Sequence, residues 1–352
     1  MGMKAFVMPS VGQVALTEKE IPRPGPDDVI VRTTAALICT SDVHTVKGTL
    51  PVAAGVTLGH EAVGVVHEIG SNVDGFSVGQ RVAVNAVTPC WECRYCQQGY
   101  SSQCRGPLGG YRYTAQVDGN MAEYFVVPKA QANLAPIPDG LTDAQAVYAC
   151  DMLSTGFMGA EHAELRLGDS VAVFAQGAVG LSATIGCVLQ GAARIFAVES
   201  IPGRQELART YGATDVVDFS KGDSAAQIME ATGGEGVDAA IEAFGFPATW
   251  EGCIAVTKAG GRISNIGYHG EVPDPLKVDL MAFGLGMADK SIRTGLCPGG
   301  NDRMQRIFAL VGTGRFDPTL MTTHTFAFGD VEKAFSMMAN KEDGIIKPLI
   351  TF

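Results

Sequence analysis

Between residues 169 and 296 the chain repeats one pattern: a short run of β-type apolar residues, a helical stretch, then the next run. The runs fall at 171–175, 195–198, 215–218, 237–241, 262–266 and 291–296. Parallel strands need a crossover of a dozen or more residues, usually a helix, so this alternation commits the stretch to an α/β fold, a doubly wound parallel sheet with helices on both faces. Residues 1–150 have another texture. β-type runs at 4–8, 29–34, 61–69, 81–84 and 123–127 are broken by turn signals, with Pro22, Pro24 and Pro26 between the first two, and no long amphipathic helix intervenes. That predicts a small, irregular β-rich domain. The tail has two amphipathic stretches, 303–312 and 331–340, and a last β run at 345–352, and is expected to return to the first domain. The expected division is 1–153, 154–296 and 297–352.

Charge narrows the partners. Against 26 Lys and Arg stand 37 Asp and Glu, a net of -11, with no local basic cluster. Such a surface repels phosphate backbones and anionic lipid, so neither nucleic acid nor a membrane is expected as a partner. No stretch reaches the roughly 18 apolar residues of a membrane span. The opening residues lack the apolar core and cleavage site of a secretory signal. Nine cysteines is an odd number, and four of them crowd into residues 90–104 while the rest are dispersed, which argues against a disulfide framework and for the reducing cytoplasm.

The first run of the parallel sheet leads into Ala175-Gln176-Gly177-Ala178-Val179-Gly180 and then an alanine-containing helical stretch. This is a dinucleotide fingerprint of the Rossmann type with alanine in place of its first glycine. Gly177 would let the backbone approach a pyrophosphate at the positive end of the helix, and Gly180 would let helix and sheet pack closely. Nineteen residues after Gly180, at the end of the next run, stands Glu199. A carboxylate there can accept hydrogen bonds from both adenosine ribose hydroxyls and would repel a 2′-phosphate. Ser200 and Ile201 supply no cation and Arg204 is the nearest, so NAD is expected over NADP.

Cys90, Cys93, Cys96 and Cys104 follow the spacing C-x2-C-x2-C-x7-C. A loop of that kind can wrap four thiolates tetrahedrally around one ion. Zinc is favoured, with an iron–sulfur cluster as the alternative. Four protein ligands leave no position for substrate, so the site would stabilise its lobe and perform no chemistry.

A metal that does chemistry needs an open position, and the first domain offers Cys39 in Cys39-Thr40-Ser41-Asp42-Val43-His44 and His60 in Leu58-Gly59-His60-Glu61-Ala62-Val63-Gly64. Each has a bland reading alone: a core thiol, a turn histidine. With Asp151-Met152-Leu153-Ser154-Thr155-Gly156 and Gly295-Leu296-Cys297-Pro298-Gly299-Gly300, they resemble the zinc-dependent medium-chain alcohol dehydrogenases, above all the bacterial secondary-alcohol dehydrogenases. The resemblance runs along nearly the whole chain and implies a GroES-like catalytic domain beside the Rossmann domain. It implies a catalytic zinc on Cys39, His60 and Asp151, with Glu61 close enough to be an alternate ligand, and Cys150 as an ordinary buried thiol. With the complete four-cysteine lobe, two zinc ions per subunit are expected. Close relatives are tetramers, which implies a homotetramer.

The resemblance also implies the chemistry. Zinc acts as a Lewis acid on the alcohol hydroxyl. Ser41 accepts the proton, which passes through the nicotinamide ribose to His44 and water. Hydride goes directly to the nicotinamide, with Thr155 against the ring. Ala86, Val87, Tyr111, Tyr268, Leu296 and Cys297 surround the substrate. Small residues at 86 and 87 leave room for a second alkyl group, hence secondary alcohols and ketones. Rival readings are an aryl, primary-alcohol or polyol dehydrogenase of the same family and, from another class, a zinc- and nucleotide-binding protein without turnover.

Overall fold

A computed structural model of the chain describes residues 2–50, 52–272 and 275–352. In chain order the strands are β1 (Gly2–Met8), β2 (Ala15–Glu20), β3 (Val29–Leu37), β4 (Val56–Thr57), β5 (Ala62–Ile69), β6 (Arg81–Val84), β7 (Tyr124–Val127) and β8 (Leu134–Pro136). They continue as β9 (Ser170–Phe174), β10 (Arg194–Val198), β11 (Asp215–Val217), β12 (Val237–Glu242), β13 (Thr257–Asn265), β14 (Ser291–Thr294), β15 (Thr322–Ala327) and β16 (Lys347–Thr351). The chain divides into two compact units, Met1–Ser154 with Cys297–Phe352, and Thr155–Leu296.

The first unit is built on two sheets, one of order β2-β1-β4 and one of order β15-β16-β3-β5-β6-β8 with β7 also paired to β3. β16 lies antiparallel to β3, pairing Leu349 with Leu37, and parallel to β15. The tail is therefore an integral part of this sheet. Its helix Val331–Asn340 buries Val331, Ala334, Phe335 and Met338, the i, i+3, i+4, i+7 stripe of an amphipathic helix, against Phe6, Val31, Val43 and Ile350. Four strands, β2, β4, β8 and β15, fall outside the β-type runs of the sequence, and the two longest of them are instructive. β2, Ala-Leu-Thr-Glu-Lys-Glu, is held by its antiparallel register with β1, from Gly2 opposite Glu20 to Val7 opposite Ala15. β15 alternates half-buried and exposed residues beside β16. Pairing overrides weak strand preference in both.

The second unit is a six-stranded sheet of order β11-β10-β9-β12-β13-β14, parallel at every pair. The order runs outward from β9 in both directions, the doubly wound arrangement. Ala172, Phe174, Phe196, Val198, Ile254 and Ile263 form its core with Trp250. β13 starts at Thr257, five residues before its β-type run, because Gly260 and Gly261 lie at an irregularity in its register with β12. The sheet ends on β14, whose four residues are all exposed, near in sequence to exposed Leu280, Met281, Leu285 and Met287. Among the described residues no helix is long and apolar enough to cross a membrane.

Candidate active site and metal centres

In the first unit three separated segments converge. Cys39 follows β3 and is the N-cap of the helix Thr40–Val46. Asp42, third in that helix, is buried: its Oδ2 accepts the Cys39 N–H at 2.9 Å and its Oδ1 the Gly59 N–H at 3.0 Å. One carboxylate thus caps the helix and ties Cys39 to the turn before His60. His60 and Glu61 immediately precede β5, and Asp151 precedes the helix Met152–His162. Ligand atoms of Cys39, His60, Glu61 and Asp151 all lie within 4.8 Å of one another, and all four residues are buried.

His60 Nε2 is 3.4 Å from Asp151 Oδ2 and 3.8 Å from Glu61 Oε1, and it is buried with no hydrogen-bond partner. Burial alone would lower the His60 pKa, yet Tyr111, Asp151, Asp42 and Cys39 around it hold it well above its ordinary value. The pocket thus favours positive charge at its centre. A thiol, an imidazole and two carboxylates are a donor set that suits zinc, and the orphaned Nε2 is the atom a metal would satisfy. Glu61 is pushed up by burial, a tendency that Lys347 opposes. The Lys347 ammonium, itself 1% exposed, pairs with Glu61 Oε1 and donates to the Ile38 carbonyl at 3.1 Å. Cys150 stays apart from the cluster: its thiol donates to the Ala62 carbonyl at 3.4 Å, and burial pushes its pKa well up.

Ser41 Oγ lies 3.6 Å from Cys39 Sγ, and His44 is one turn further along the same helix, half-buried. Ala86 and Val87 follow β6 and are fully or almost fully buried. The Ala86 N–H donates to the Cys150 carbonyl at 2.9 Å, and Val87 N–H to Asn85 Oδ1 at 2.8 Å. Cys297 is buried, with Sγ 3.7 Å from Asn85 Oδ1. Tyr111 Oη is 3.2 Å from His60 Nδ1.

Cys90, Cys93, Cys96 and Cys104 form a second cluster, their sulfurs also within 4.8 Å of one another. Left-handed backbone at Trp91 (φ 61°) and Arg105 (φ 60°) curls the loop. Sulfur accepts backbone N–H groups: Cys90 donates to Cys104 Sγ at 3.3 Å and Arg105 to Cys93 Sγ at 3.2 Å. Burial would raise the Cys90 pKa, but the N–H groups of Glu92 and Cys93 and neighbouring side chains bring it down to about 6. Burial and Cys93 push Cys96 up to about 12. A tetrathiolate zinc site fits this loop.

In the second unit β9 enters the glycine turn through Ala175, whose φ of 72° is left-handed and strained for an alanine. Gly177 caps the helix Ala178–Leu189, and a Cβ there would meet nothing within 4 Å, so the space is open to a ligand. A Cβ on Gly180 would collide with the Ala175 carbonyl oxygen. The two glycines therefore serve different ends, ligand approach and helix–strand packing. Ala178 and Val179, in the first turn of the helix, are partly exposed. Glu199, just beyond β10, is 4% exposed. Its Oε1 accepts Ser200 N–H at 2.8 Å and Ile201 N–H at 3.1 Å, and its Oε2 accepts Gln176 N–H at 3.2 Å. Arg204 Nη1 stands 3.9 Å from Glu199 Oε2, so a cation sits nearer this carboxylate than the spacing suggests. Thr155, Tyr268 and Leu296 belong to this unit, Thr155 buried and the other two half-buried.

Sequence reasoning misses two residues at the mixed cluster. Asp42 had a usable signal, since an acidic side chain three positions after an N-cap is a capping pattern. Lys347 had only the oddity of a lysine in an otherwise apolar strand.

Residues 25–139 match the family described as "Alcohol dehydrogenase GroES-like domain" and residues 178–311 the one described as "Zinc-binding dehydrogenase". The chain is 44% identical over 359 residues to an alcohol dehydrogenase of Cupriavidus necator, covering 98% of this chain and 97% of that protein. It is 45% identical over 350 residues to the NADP-dependent isopropanol dehydrogenase of Thermoanaerobacter brockii, covering 99% of each. Among solved structures it resembles alcohol dehydrogenase TADH from Thermus sp. ATN1, with a TM-score of 0.88, 32% identity and 99% of both chains covered.

Proposed function

Because the chain belongs to the zinc-binding medium-chain alcohol dehydrogenases, we propose that it interconverts secondary alcohols and ketones with NAD, using two zinc ions per subunit. The observation that carries this reading is the buried Cys39, His60, Glu61 and Asp151 cluster with an orphaned imidazole nitrogen and Ser41 beside its thiol. Cys39, His60 and Asp151 would hold the catalytic metal, Glu61 would be its alternate ligand, and the four-cysteine lobe would hold the second.

Bound zinc supplies Lewis acidity to a carbinol oxygen, and bound nicotinamide supplies the hydride acceptor. The chain does the rest. Ser41 would act as a hydroxyl relay, accepting the carbinol proton at Oγ as it passes its own proton on, and His44, three residues on along the same helix face, would release a proton to water. Ala86 and Val87 present small side chains where a second alkyl arm needs room. By the family resemblance Thr155 would lie against the nicotinamide, and Tyr111, Tyr268, Leu296 and Cys297 would line the substrate. Gly177, Ala178 and Val179 accept the pyrophosphate at their helix terminus, and Gly180 seats that helix on the sheet.

Glu199 supports NAD: its carboxylate is held by three backbone N–H groups, two on Oε1 and one on Oε2, so Oε2 keeps capacity to accept a ribose hydroxyl. The Thermoanaerobacter relative is named for NADP, and Arg204 lies beside Glu199, so the cofactor is the first thing to measure. The expected result is a higher kcat/KM with NAD than with NADP, and a shift towards NADP on Glu199→Ser. A native preference for NADP overturns the assignment. For the substrate, NADH formation is compared for 2-butanol and 1-butanol at equal concentration. Faster turnover of 2-butanol is expected, and no turnover of either defeats the substrate reading. Metal analysis should return two zinc ions per chain.

The exposed β14 edge and its neighbouring apolar residues favour association with further copies, a homotetramer, testable by light scattering. Free thiols throughout suit a reducing cytoplasm.

A further inference from the structure

We propose that Asn85 is a positioning residue that determines substrate specificity: its side-chain oxygen holds Val87 and meets Cys297, and so sets how large a second alkyl arm the pocket admits. The inference rests on the reading of Ala86, Val87 and Cys297 as the wall around the carbinol carbon.

β6 ends on Val84, opposite Ala62, so Asn85 leaves the sheet beside the end of β5 that follows His60 and Glu61. Asn85 is fully buried, and its Oδ1 accepts the Val87 N–H at 2.8 Å. An asparagine oxygen that bonds the backbone two residues on makes an Asx turn, which closes the loop on itself. The bond also fixes which way the amide faces, because the flipped amide would set its NH2 against the Val87 N–H, donor to donor. Cys297 approaches the same oxygen from the returning segment, with Sγ at 3.7 Å. One atom thus takes hold of two parts of the wall that lie 210 positions apart in sequence.

The neighbouring contacts leave the wall no retreat. The Ala86 N–H donates to the Cys150 carbonyl at 2.9 Å, next to Asp151 in the chain. On its other side Val87 packs against Gly299, where a Cβ would stand only 2.5 Å from the Val87 carbonyl oxygen. Small side chains define a pocket's width only while their backbone cannot yield, and Asn85 supplies the bond that stops Val87 from yielding. The other end of the amide is unmatched: Nδ2 is buried with no hydrogen-bond partner. In a dry interior a half-satisfied amide is worse for stability than an apolar side chain. What Asn85 contributes is therefore position.

The test uses the zinc-loaded holoenzyme and three variants. Asn85→Ala removes the oxygen, Asn85→Ser restores one that can accept the same N–H, and Asn85→Gln carries the amide oxygen one methylene further out. The substrates are 2-butanol and 3-pentanol, which differ by one methylene on the second arm. The kcat/KM for 3-pentanol relative to 2-butanol is expected to rise at least about tenfold in Asn85→Ala and to stay within about twofold of wild type in Asn85→Ser. Alkylation of Cys297 by iodoacetamide, followed by peptide mass, should be faster in Asn85→Ala than in wild type or Asn85→Ser, and it registers loosening of the wall without turnover. An unchanged ratio in a folded, zinc-replete Asn85→Ala overturns the proposal. So does an Asn85→Ser variant as altered as Asn85→Ala, since lost volume and not the oxygen would then be the cause. Should Asn85→Ala fail to fold, Asn85→Gln decides on the same terms, a raised ratio being expected and a wild-type ratio overturning. If the wild-type enzyme oxidises neither alcohol, the proposed activity fails and the alkylation rate alone decides: faster in Asn85→Ala keeps Asn85 as the holder of the wall, and an unchanged rate removes it.

Discussion

The two units handle buried charge in opposite ways. In the first, Glu61 finds its counter-ion 286 residues away in Lys347, and Asp42 bridges a helix start and a distant turn. In the second, acidic groups at strand ends take most of their hydrogen bonds from their own turns: Glu199 from the N–H groups of Ser200 and Ile201, with one more from Gln176 of the adjacent turn, and Glu242 from those of Phe244 and Gly245. A cofactor fold that binds one kind of ligand at one kind of turn can be built from local rules. A mixed-ligand metal site cannot, because its donors must arrive from separate strands and their charges must be balanced across the whole sheet. Damage to the first unit should therefore spread, and damage to the second should stay local.

The sharpest way to break that contrast is Lys347→Met. Leaving Glu61 buried without its ammonium should cost about 3–5 kcal/mol in chemical denaturation, and Lys347→Met combined with Glu61→Gln should recover most of it. A single variant that unfolds like wild type would mean the pair is not balancing the site. Next in size comes Asp238, which ties β12 to β9 by accepting from Ser170 N–H at 2.9 Å and pairs with Lys258 at 2.7 Å. Burial would raise its pKa, but Lys258 and Ser170 hold it down at about 2, below the ordinary 3.8. Its contribution is therefore complete above about pH 4 and disappears as pH falls through about 2. The difference corresponds to about 2 kcal/mol, and the stability gap between wild type and Asp238→Asn should close over that interval. A gap independent of pH would show that the charge is irrelevant. The smallest effect is expected from Ala175→Gly, which relieves left-handed strain at the cost of unfolded-state entropy, for a net gain of about 0.5–1 kcal/mol in thermal unfolding. A loss of stability there would mean the alanine side chain packs more than its backbone suffers.

The same contrast decides what is legible in sequence. The parallel sheet of the second unit announces itself, because β9 to β12 are apolar runs each followed by its own crossover helix, and they start and end within one residue of those runs. The helix Val331–Asn340 is legible for a similar reason, its buried stripe being periodic. The four-cysteine lobe lies within one short stretch and can be read by spacing. β2 and β15 leave little trace, since partners rather than propensity make them strands. Lys347 is invisible as a partner of Glu61 until β16 is known to lie beside β3. Tyr111 is the subtlest case: resemblance puts it near the substrate, and no local pattern announces that its hydroxyl stands 3.2 Å from His60 Nδ1.

The place of β16 between β3 and β15 also bears on how the protein is made. A ribosome releases the chain in order, and domains tend to fold as they emerge. The second unit, contiguous from Thr155 to Leu296, can close while synthesis continues. The first unit cannot: its sheet must wait, with β3 lacking a neighbour and Glu61 its counter-charge, until Lys347–Thr351 has been translated. For that interval Cys39 and His60 are held on an unfinished scaffold, and the buried cluster they form with Glu61 and Asp151 is completed last.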